Sequence, residues 1–318
     1  MSDEKDTGTG TLAAGGIRIL ITGGNGLIGR YAKDVLLESG CDVHIVSRSA
    51  DVASGNDRVT VHAGDILNHD SMAKVIRKVR PTHLLHLAWE TTHGAFWSAP
   101  ENLDWVAATM SMARTFADNG GQRLVSAGTC AEYDWRCSEI ETGNCCEATS
   151  PIAPIHLYGI AKDATRRILE SYAANAGFEF AWGRVFMLFD PAENERRFVK
   201  SIITNLKAGK RAPCSSGAQL RDFMHANDVG AAFAALLLSD VTGPVNIASG
   251  KALTLAEIAA TIGELMERPD LIGLGDLPNR PGEPARIVAD IERLAIEVGF
   301  RPSASLKTRL VDCIENTA

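Results

Sequence analysis

The sequence lacks two features that would tie the protein to a membrane or to nucleic acid. No apolar run approaches the ~20 residues of a transmembrane helix, and no block of Lys or Arg occurs in a chain of 318 residues whose formal net charge is −7. Because nucleic acids and anionic membranes attract basic surfaces, neither is an expected partner. The polar stretch 1–16 has no apolar signal-peptide segment, so we expect a disordered leader and a cytoplasmic protein.

The sequence also lacks the cysteine pattern of a disulfide-linked or zinc-binding protein. Seven cysteines, an odd number, are scattered along the chain, which predicts reduced thiols. Cys137, Cys145 and Cys146 share one polar stretch with His156, but their spacing matches no common zinc pattern. We therefore expect free thiols in a loop and no metal.

What the first half of the chain does contain is a regular alternation of short β-branched runs and longer amphipathic stretches. Runs such as "IRILIT", "DVHIVSR" and "HLLHLAW" predict strands, and the stretches between them have the apolar spacing of helices. The alternation predicts an α/β fold, a doubly wound, Rossmann-like parallel sheet. We assign 17–185 to a dinucleotide-binding domain, to which a strand at 245–249 returns, and 186–318 mainly to a smaller, mixed substrate-binding lobe.

A glycine-rich turn follows the first strand, in "TGGNGLIG". Its spaced glycines have no Cβ to keep backbone N–H groups away from a pyrophosphate, and the helix that follows points its positive end at the same place. Glycine turns also occur merely as links between a strand and a helix, but this context favours a dinucleotide. The expected contacts are Gly23, Asn25, Gly26, Leu27, Ile28 and Gly29.

The end of the second strand indicates which dinucleotide is bound. An acidic residue there would hold the ribose 2′-hydroxyl of NAD, whereas this chain has Ser47 and Arg48. A hydroxyl followed by a guanidinium suits a 2′-phosphate. We therefore favour NADP(H) over NAD(H); the alternative is that Arg48 is a solvated loop residue.

A tyrosine and a lysine stand four residues apart in "YGIAK". On a helix, Tyr158 and Lys162 share one face, about 6 Å apart along the axis. An adjacent ammonium would lower the phenol pKa and let Tyr158 exchange a proton. Thr129 ends the strand in "VSAGT", at the sheet edge where ligands collect, and could hold a reacting carbonyl oxygen. A surface Tyr–Lys pair is the alternative.

Taken together, the motifs resemble those of the extended short-chain dehydrogenase/reductase family, in particular its nucleotide-sugar epimerases, dehydratases and 4-ketoreductases. The resemblance covers nearly the whole chain after the leader. It is carried by "TGGNGLIG", "GDI", "LLHLAW", "SAGTCAEY", "YGIAK", "GRVFMLFDP", "RDFMHANDVG", "VNIASG" and "RPGEP".

The resemblance implies roles for particular residues. Thr129, Tyr158 and Lys162 would be catalytic, and Lys162 would also hold the nicotinamide ribose. The implied cofactor contacts elsewhere are Asp65 and Ile66 at the adenine, and Leu87 and Ala88 beside the dinucleotide. Arg221 and Arg280 would approach the substrate diphosphate; an ion pair of Arg221 with Asp222 or another carboxylate is the alternative.

The chain also departs from the family pattern where a sugar would bind. Met187 stands where many relatives have an asparagine, and it is either a substrate contact or a core residue. Side chains in "AWETTHGAFW" and "AEYDW" would give the sugar pocket a different shape, or else belong to the core. The expected substrate contacts are Trp89, Thr129, Cys130, Glu132, Met187, Arg221 and Arg280.

These observations favour an NADPH-dependent reductase of a nucleotide-activated 4-keto-6-deoxy sugar, with Tyr158 as the proton donor. An epimerase is the alternative, and a non-catalytic dinucleotide sensor is a weaker one because sensors of that kind lose the tyrosine and lysine. Cys130 and Ala131 follow Thr129, where dehydratases of the family carry an Asp-Glu pair, so dehydration is not expected. By resemblance, helices around 104–118 and 156–176 would form a homodimer.

Overall fold

The computed structural model describes residues 16–48 and 58–317, so nearly all of the expected leader lies outside the described residues. The strands, in chain order, are β1 (Arg18–Thr22), β2 (Asp42–Ser47), β3 (Val59–Ala63), β4 (His83–His86), β5 (Arg123–Thr129), β6 (Glu179–Val185), β7 (Met187–Phe189), β8 (Ala212–Pro213), β9 (Leu220–Arg221), β10 (Phe223–His225), β11 (Gly243–Ile247), β12 (Leu253–Thr254), β13 (Ile272–Gly273) and β14 (Arg286–Ile287). The helices are α1 (Gly29–Glu38), α2 (His69–Val79), α3 (Glu101–Asp118), α4 (Ser138–Thr142), α5 (Leu157–Ala176), α6 (Phe198–Lys207), α7 (Ala226–Leu238), α8 (Leu255–Leu265) and α9 (Leu306–Asn316).

Seven strands form one sheet in the order β3-β2-β1-β4-β5-β6-β11. Every neighbouring pair is parallel, so each crossover must pass over a face of the sheet. The chain moves outward from β1 to β3 and then restarts on the other side of β1 with β4. This arrangement confirms the predicted doubly wound, Rossmann-like fold. The late strand β11 pairs with β6 and begins two residues earlier in the chain than the expected 245–249.

Two helical layers cover the sheet because its strands are apolar on both sides. One face packs against α1 and α7, whose buried residues include Leu36 and Phe233. The other face packs against α2, α3 and α5, through residues such as Ile76, Phe116 and Leu169.

Helix α7 is a helix that the sequence patterns did not predict. Its residues "ANDVGAAFAALLL" are almost all apolar, so they show no 3.6-residue alternation of polar and apolar side chains. The structure explains the composition: α7 packs against α1 on one side and against the sheet on another, and most of its residues are buried. A helix covered on several sides has no polar face to reveal its period.

The smaller lobe consists of α6, α8 and α9 with short strands between them. Its separate core includes Phe189, Ile203, Ile262 and Leu310. The strands β9, β12 and β14 form a small mixed sheet that supports the loop leading to β10. The lobe therefore stands at the carboxyl ends of the large sheet, where a substrate could be enclosed.

None of the helices at 16–48 and 58–317 combines the length and the hydrophobicity that a membrane-spanning helix needs. The cysteines are free thiols. Among the same residues, no group of three or more His, Cys, Asp or Glu side chains is arranged to hold a metal ion.

Candidate functional site

The glycine turn after β1 is a backbone cradle in which side chains do not fit. Gly23 has φ +74°, and a Cβ added to it would lie 2.9 Å from the amide nitrogen of Ala88. A Cβ on Gly29 would lie only 2.1 Å from the carbonyl oxygen of Gly23. The turn closes with a 2.9 Å hydrogen bond from the N–H of Gly26 to that same carbonyl. The turn can pack this closely on itself and on Ala88 only because no Cβ is present, and it leads into the start of α1, where helix N–H groups suit a phosphate.

A cleft of about 620 Å³ opens at the carboxyl ends of β1 to β4. The structure brings most of the sequence-predicted cofactor residues together around it, although they come from segments far apart in the chain; Tyr158 and Lys162 do not line it. The predicted residues that line it are Gly23, Asn25, Gly26, Leu27, Ile28, Gly29, Ser47, Arg48, Asp65, Ile66, Leu87 and Ala88. Its size and its position at the switch between β1 and β4 fit an extended dinucleotide.

The far end of the cleft carries the residues that bear on NADP(H). Ser47 is half-buried at the end of β2, and Arg48 is exposed beside it. Asp65 is exposed as well, and its carboxylate accepts the N–H of Leu67 at 3.0 Å, which fixes the turn after β3. Arg48 therefore supplies a positive group at this end of the cleft, where a 2′-phosphate could be held.

Thr129 and Tyr158 meet at the carboxyl end of β5. The Thr129 side chain lies beside the Tyr158 phenol, and the Tyr158 ring meets Phe96 and Trp97 edge-on, with ring centroids 4.9 and 5.9 Å away. Desolvation raises the pKa of the Tyr158 phenol above its ordinary value, while the neighbouring Thr129 side chain acts in the opposite direction. This corrects the expected lowering of that pKa. The phenol is protonated at neutral pH and has a hydroxyl partner beside it.

Lys162 does not act on Tyr158 as the sequence predicted. Its Nζ donates a 2.8 Å hydrogen bond to the carbonyl of Ala127 and lies 3.7 Å from the centroid of the Trp89 ring. Desolvation lowers the pKa of Lys162 to about 7, and the negative charge of Glu132 opposes that shift. Lys162 is not among the main groups that shift the Tyr158 pKa. The ammonium is buried and held by a carbonyl and an aromatic face rather than directed at the phenol.

Trp89 connects the cleft to the buried lysine. It lines the cleft, while its indole N–H donates to the Asn102 side chain at 2.9 Å and its ring is stacked on Trp105 at 6.0 Å. Asn102 is itself fixed by bonds to two backbone carbonyls. The indole is thus held in one orientation, with Lys162 against its ring, and a cation in that position is stabilised.

His86 lies beneath this region and stays neutral. Thr22 shares a 2.7 Å hydrogen bond with Nδ1, and Nε2 is 3.0 Å from the Thr109 hydroxyl. Because that hydroxyl donates to the carbonyl of Trp105, it accepts from Nε2, so the proton is assigned to Nε2. Burial, together with the charge of Lys162, lowers the pKa of His86 to about 3. His86 therefore adds no positive charge beside Lys162.

Glu132 is placed in the core and not in the sugar pocket. It is 0% exposed, and its carboxylate accepts bonds from the Trp182 indole and the Arg184 guanidinium at 2.9 and 2.8 Å. It also accepts the N–H of Thr129 at 2.8 Å. The expectation of a substrate contact is corrected, because a buried carboxylate needs these partners. Its role here is to fix the strand end that carries Thr129.

Other predicted substrate residues are also placed inside the protein. Cys130 is buried, and burial raises its thiol pKa above the ordinary range. Met187 is half-buried and packs against the hydrophobic cluster that contains Phe186 and Tyr133. Of the two roles left open for Met187, this placement fits a core residue rather than a substrate contact. Neither residue lines the cleft described above.

The two predicted arginines differ in how they are placed. Arg221 is buried and donates to the carboxylate of Glu283 at 2.9 Å. This is the alternative of an ion pair with a carboxylate, and that carboxylate is Glu283 and not Asp222. Asp222 instead accepts backbone N–H groups of the loop after β11. Arg280 is exposed. The pKa of His93 is lowered mainly by desolvation and, to a smaller extent, by nearby positive charges that include Arg280.

Sequence reasoning missed Arg197, which lines the cleft. Its contact with Glu193 is long, at 4.0 Å, and its charge acts on both Tyr158 and His93. No local motif marks Arg197, because it reaches the cleft from the start of α6 in the other lobe. Further cleft residues outside the prediction are Val46, Gly64, Leu67, Glu90, Thr91, Thr92, Glu101, Trp105 and Leu188.

Comparisons with known proteins agree with this architecture. Residues 19–248 match the family model described as "NAD dependent epimerase/dehydratase family". UDP-glucuronic acid decarboxylase 6 of Arabidopsis thaliana is 25% identical over 303 residues, which cover 92% of this chain and 87% of that protein. The dTDP-6-deoxy-L-talose 4-dehydrogenase (NAD(+)) of Aggregatibacter actinomycetemcomitans is 28% identical over 242 residues, or 75% of this chain and 87% of the relative.

Among solved structures, the fold is similar to that of the UDP-glucose 4-epimerase of Thermus thermophilus in complex with NAD. The TM-score is 0.81 at 22% identity, with 95% of this chain and 99% of that one covered. The family model spans most of the chain and includes the glycine turn, Thr129, Tyr158 and Lys162. The resemblance drawn from the motifs is confirmed: the chain belongs to the NAD dependent epimerase/dehydratase family, enzymes of the extended short-chain dehydrogenase/reductase type.

Proposed function

We propose that the protein is an NADPH-dependent reductase of a nucleotide-activated 4-keto-6-deoxy sugar, acting at C4. The observation that carries the proposal is the half-buried Tyr158, whose phenol lies beside Thr129 and has a pKa raised by desolvation. A phenol in that state is protonated at neutral pH and ready to donate to an alkoxide. Reduction of a ketone needs such a donor from the outset, whereas an epimerase must first use the same residue as a base.

The residues of the chain have separate tasks in this reaction. Thr129 holds the substrate oxygen beside the Tyr158 hydroxyl, which protonates it as the carbonyl becomes an alcohol. Lys162, buried against Trp89, would hold the nicotinamide ribose, the role that the family resemblance implies for it. A nicotinamide dinucleotide held by the glycine turn supplies the hydride chemistry. Orientation of the reacting groups contributes about 7–11 kcal/mol in well-placed systems.

The substrate class rests on a group of arginines around His93, one of which, Arg197, lines the cleft. Desolvation is the main cause that lowers the pKa of His93, and the charges of three nearby arginines lower it further: Arg196, Arg197 and Arg280. Converging guanidinium groups suit a diphosphate, which each can bind through two hydrogen bonds. The name of the talose 4-dehydrogenase relative describes oxidation at C4 of a dTDP-6-deoxy sugar, and the reverse of that reaction is the reduction proposed here.

The preference for NADPH rests on Ser47 and Arg48 at the end of β2, where an acidic residue would favour NAD. A reductase that draws on cellular NADPH is consistent with this feature. An epimerase remains the second candidate, because the Thermus thermophilus protein with a similar fold is a UDP-glucose 4-epimerase. An epimerase would keep its cofactor bound and consume none.

A single assay separates these activities. The purified protein is incubated with NADPH and a panel of nucleotide 4-keto-6-deoxy sugars, while the absorbance of the reduced cofactor is followed. We expect one NADPH consumed per sugar reduced, with the Tyr158→Phe variant as the background. Interconversion of nucleotide sugars without net consumption would establish the epimerase instead, and the absence of chemistry on every sugar would leave a binding protein.

We further propose a homodimer formed by α3 and α5, which pack side by side. Large apolar side chains are exposed on these helices: Leu103 by 61%, Ile160 by 48% and Ile168 by 50%. A second copy would cover them. Sedimentation of the native chain should give the dimer mass, and Ile160→Asp with Ile168→Asp should give the monomer; a native monomer would contradict the proposal.

A further inference from the structure

A second cavity, of about 220 Å³, lies between the large sheet and the smaller lobe. It shares no lining residue with the dinucleotide cleft. One wall comes from β10 and the first turn of α7, another from the loop after β11, and the third from the segment leading into α9. The apolar part of the lining consists of Phe223, Met224, Leu253, Ile291, Pro302, Ala304 and Leu306.

The charged part of the lining has a net positive charge. Arg309 is already paired with Asp228 through two hydrogen bonds of 2.8 and 2.6 Å, so this pair is neutral. Lys251 and Arg301 are exposed at the mouth and have no carboxylate partner among the described residues. Two uncompensated cations therefore face one cavity in a chain whose net charge is −7.

A buried histidine adds a neutral polar group to the wall. Nδ1 of His225 accepts the N–H of Asn227 at 3.1 Å, so the ring proton of the neutral form is on Nε2. That nitrogen has no hydrogen-bond partner within the described structure, although the residue is only 5% exposed. Burial lowers the pKa of His225, which keeps the ring neutral. An unsatisfied donor of this kind is uncommon in a protein core.

The cavity is built before any ligand arrives. The buried Asp222 carboxylate accepts the backbone N–H groups of Ser249 and Gly250, each at 2.9 Å, and so fixes the loop that carries Lys251. On the other side, Arg309 anchors α9 to α7 through Asp228. A ligand here would meet a rigid apolar wall and a cationic mouth at the same time.

We propose that this cavity binds a small organic anion with an apolar body, of the size of a single ring bearing one carboxylate or phosphate group. The apolar wall would cover the ring, while Lys251 and Arg301 would hold the anionic group. This site is separate from the one that carries out the proposed reaction, and its occupancy does not depend on which reaction that is.

The test uses the full-length protein saturated with NADPH, so that the dinucleotide cleft is not available to the probes. Phenyl phosphate, benzoate and inorganic phosphate are titrated separately by calorimetry. We expect at least one of the two ring-bearing anions to bind at least ~10-fold more tightly than inorganic phosphate, because only they bury apolar surface. The two ring-bearing probes tell a phosphate ester from a carboxylate as the preferred group.

Variants assign the binding to this cavity. Lys251→Met and Arg301→Met should each weaken the tighter probe by about 10-fold, the usual worth of a charged hydrogen bond. The matched control, Lys210→Met, removes an exposed lysine that does not line the cavity and should change nothing. The proposal is overturned if none of the probes binds at millimolar concentration, if inorganic phosphate binds as tightly as both rings, or if the cavity variants behave like the control.

Discussion

The dinucleotide cleft and the catalytic centre lie side by side but are built in different ways. The cleft is shaped by backbone: a Cβ at Gly23 or Gly29 would collide with main-chain atoms. The catalytic centre is shaped by side chains from several separate segments, which set the environment of Tyr158 and Lys162. A backbone cradle follows from a local sequence, whereas the charge state of a buried group depends on everything packed around it.

The largest effect should come from the catalytic centre. Tyr158→Phe removes the proton donor and leaves the ring between Phe96 and Trp97, so turnover should fall by about 10²-fold or more with cofactor affinity nearly unchanged. Turnover and NADPH binding are measured on the same preparations. Tyr172→Phe, on the same helix, is the control and should be silent. If turnover survives in Tyr158→Phe, the proton comes from another group.

The cleft should respond in affinity and not in chemistry. Arg48→Ala removes the exposed cation at the end of β2 and should weaken NADPH by ~10- to 100-fold, since charge-assisted hydrogen bonds contribute about 1.5–3 kcal/mol. Binding of NADH should change little, because it has no 2′-phosphate. Equal losses for both cofactors, measured by fluorescence titration, would contradict the NADP(H) assignment.

The glycine cradle can be tested without any ligand. Gly29→Ala places a Cβ 2.1 Å from the Gly23 carbonyl oxygen, so the free energy of unfolding should fall by about 1–3 kcal/mol or more. Gly26→Ala is the graded control, because its Cβ would be 3.2 Å from the same atom and needs only a small adjustment. Urea denaturation compares the two. Equal stabilities would mean that the turn can rearrange and is not a fixed cradle.

The smallest expected effect concerns the aromatic contact to the buried lysine. Trp89→Leu removes the ring that stabilises the ammonium, so the pKa of Lys162 should fall further below about 7. A cation–π contact of about 0.5–2 kcal/mol corresponds to a shift of roughly one pH unit. The limb of the kcat/KM profile that follows Lys162 should move to lower pH by that amount. Trp89→Phe retains a ring and should shift this limb by a smaller amount. If the limb does not move in Trp89→Leu, the Trp89 ring does not stabilise the charge of Lys162.

Lys162, in the catalytic centre, should also make the stability of the protein depend on pH, which the backbone of the glycine cradle cannot do. Its folded-state pKa is depressed, so between about 7 and the ordinary value near 10.5 the unfolded chain binds more protons than the folded one. Stability should therefore rise with pH across that window on account of Lys162. In Lys162→Met, which carries no charge, this contribution to the rise should be absent. Denaturation midpoints at several pH values compare the variant with the native chain, and identical slopes would mean that Lys162 is not the group responsible.

Some features could be predicted from the sequence because they depend on residues that are near one another. The alternation of strands and helices predicted the parallel sheet, and "TGGNGLIG" predicted the turn after β1. Helix α7 was missed because its apolar residues hide the helical period. Arg197 was missed because it reaches the cleft from the smaller lobe, without a motif of its own.

By itself, the sequence determined the fold class, the position of the glycine cradle and the membership of Tyr158 and Lys162 in one helical face. Only the tertiary structure decided that Glu132 is a core anchor, that Arg221 is paired with Glu283, and that the phenol pKa is raised and not lowered. The physical reason is range. Periodicity and backbone sterics act over a few residues, whereas desolvation and charge act through space, among groups that only folding brings together.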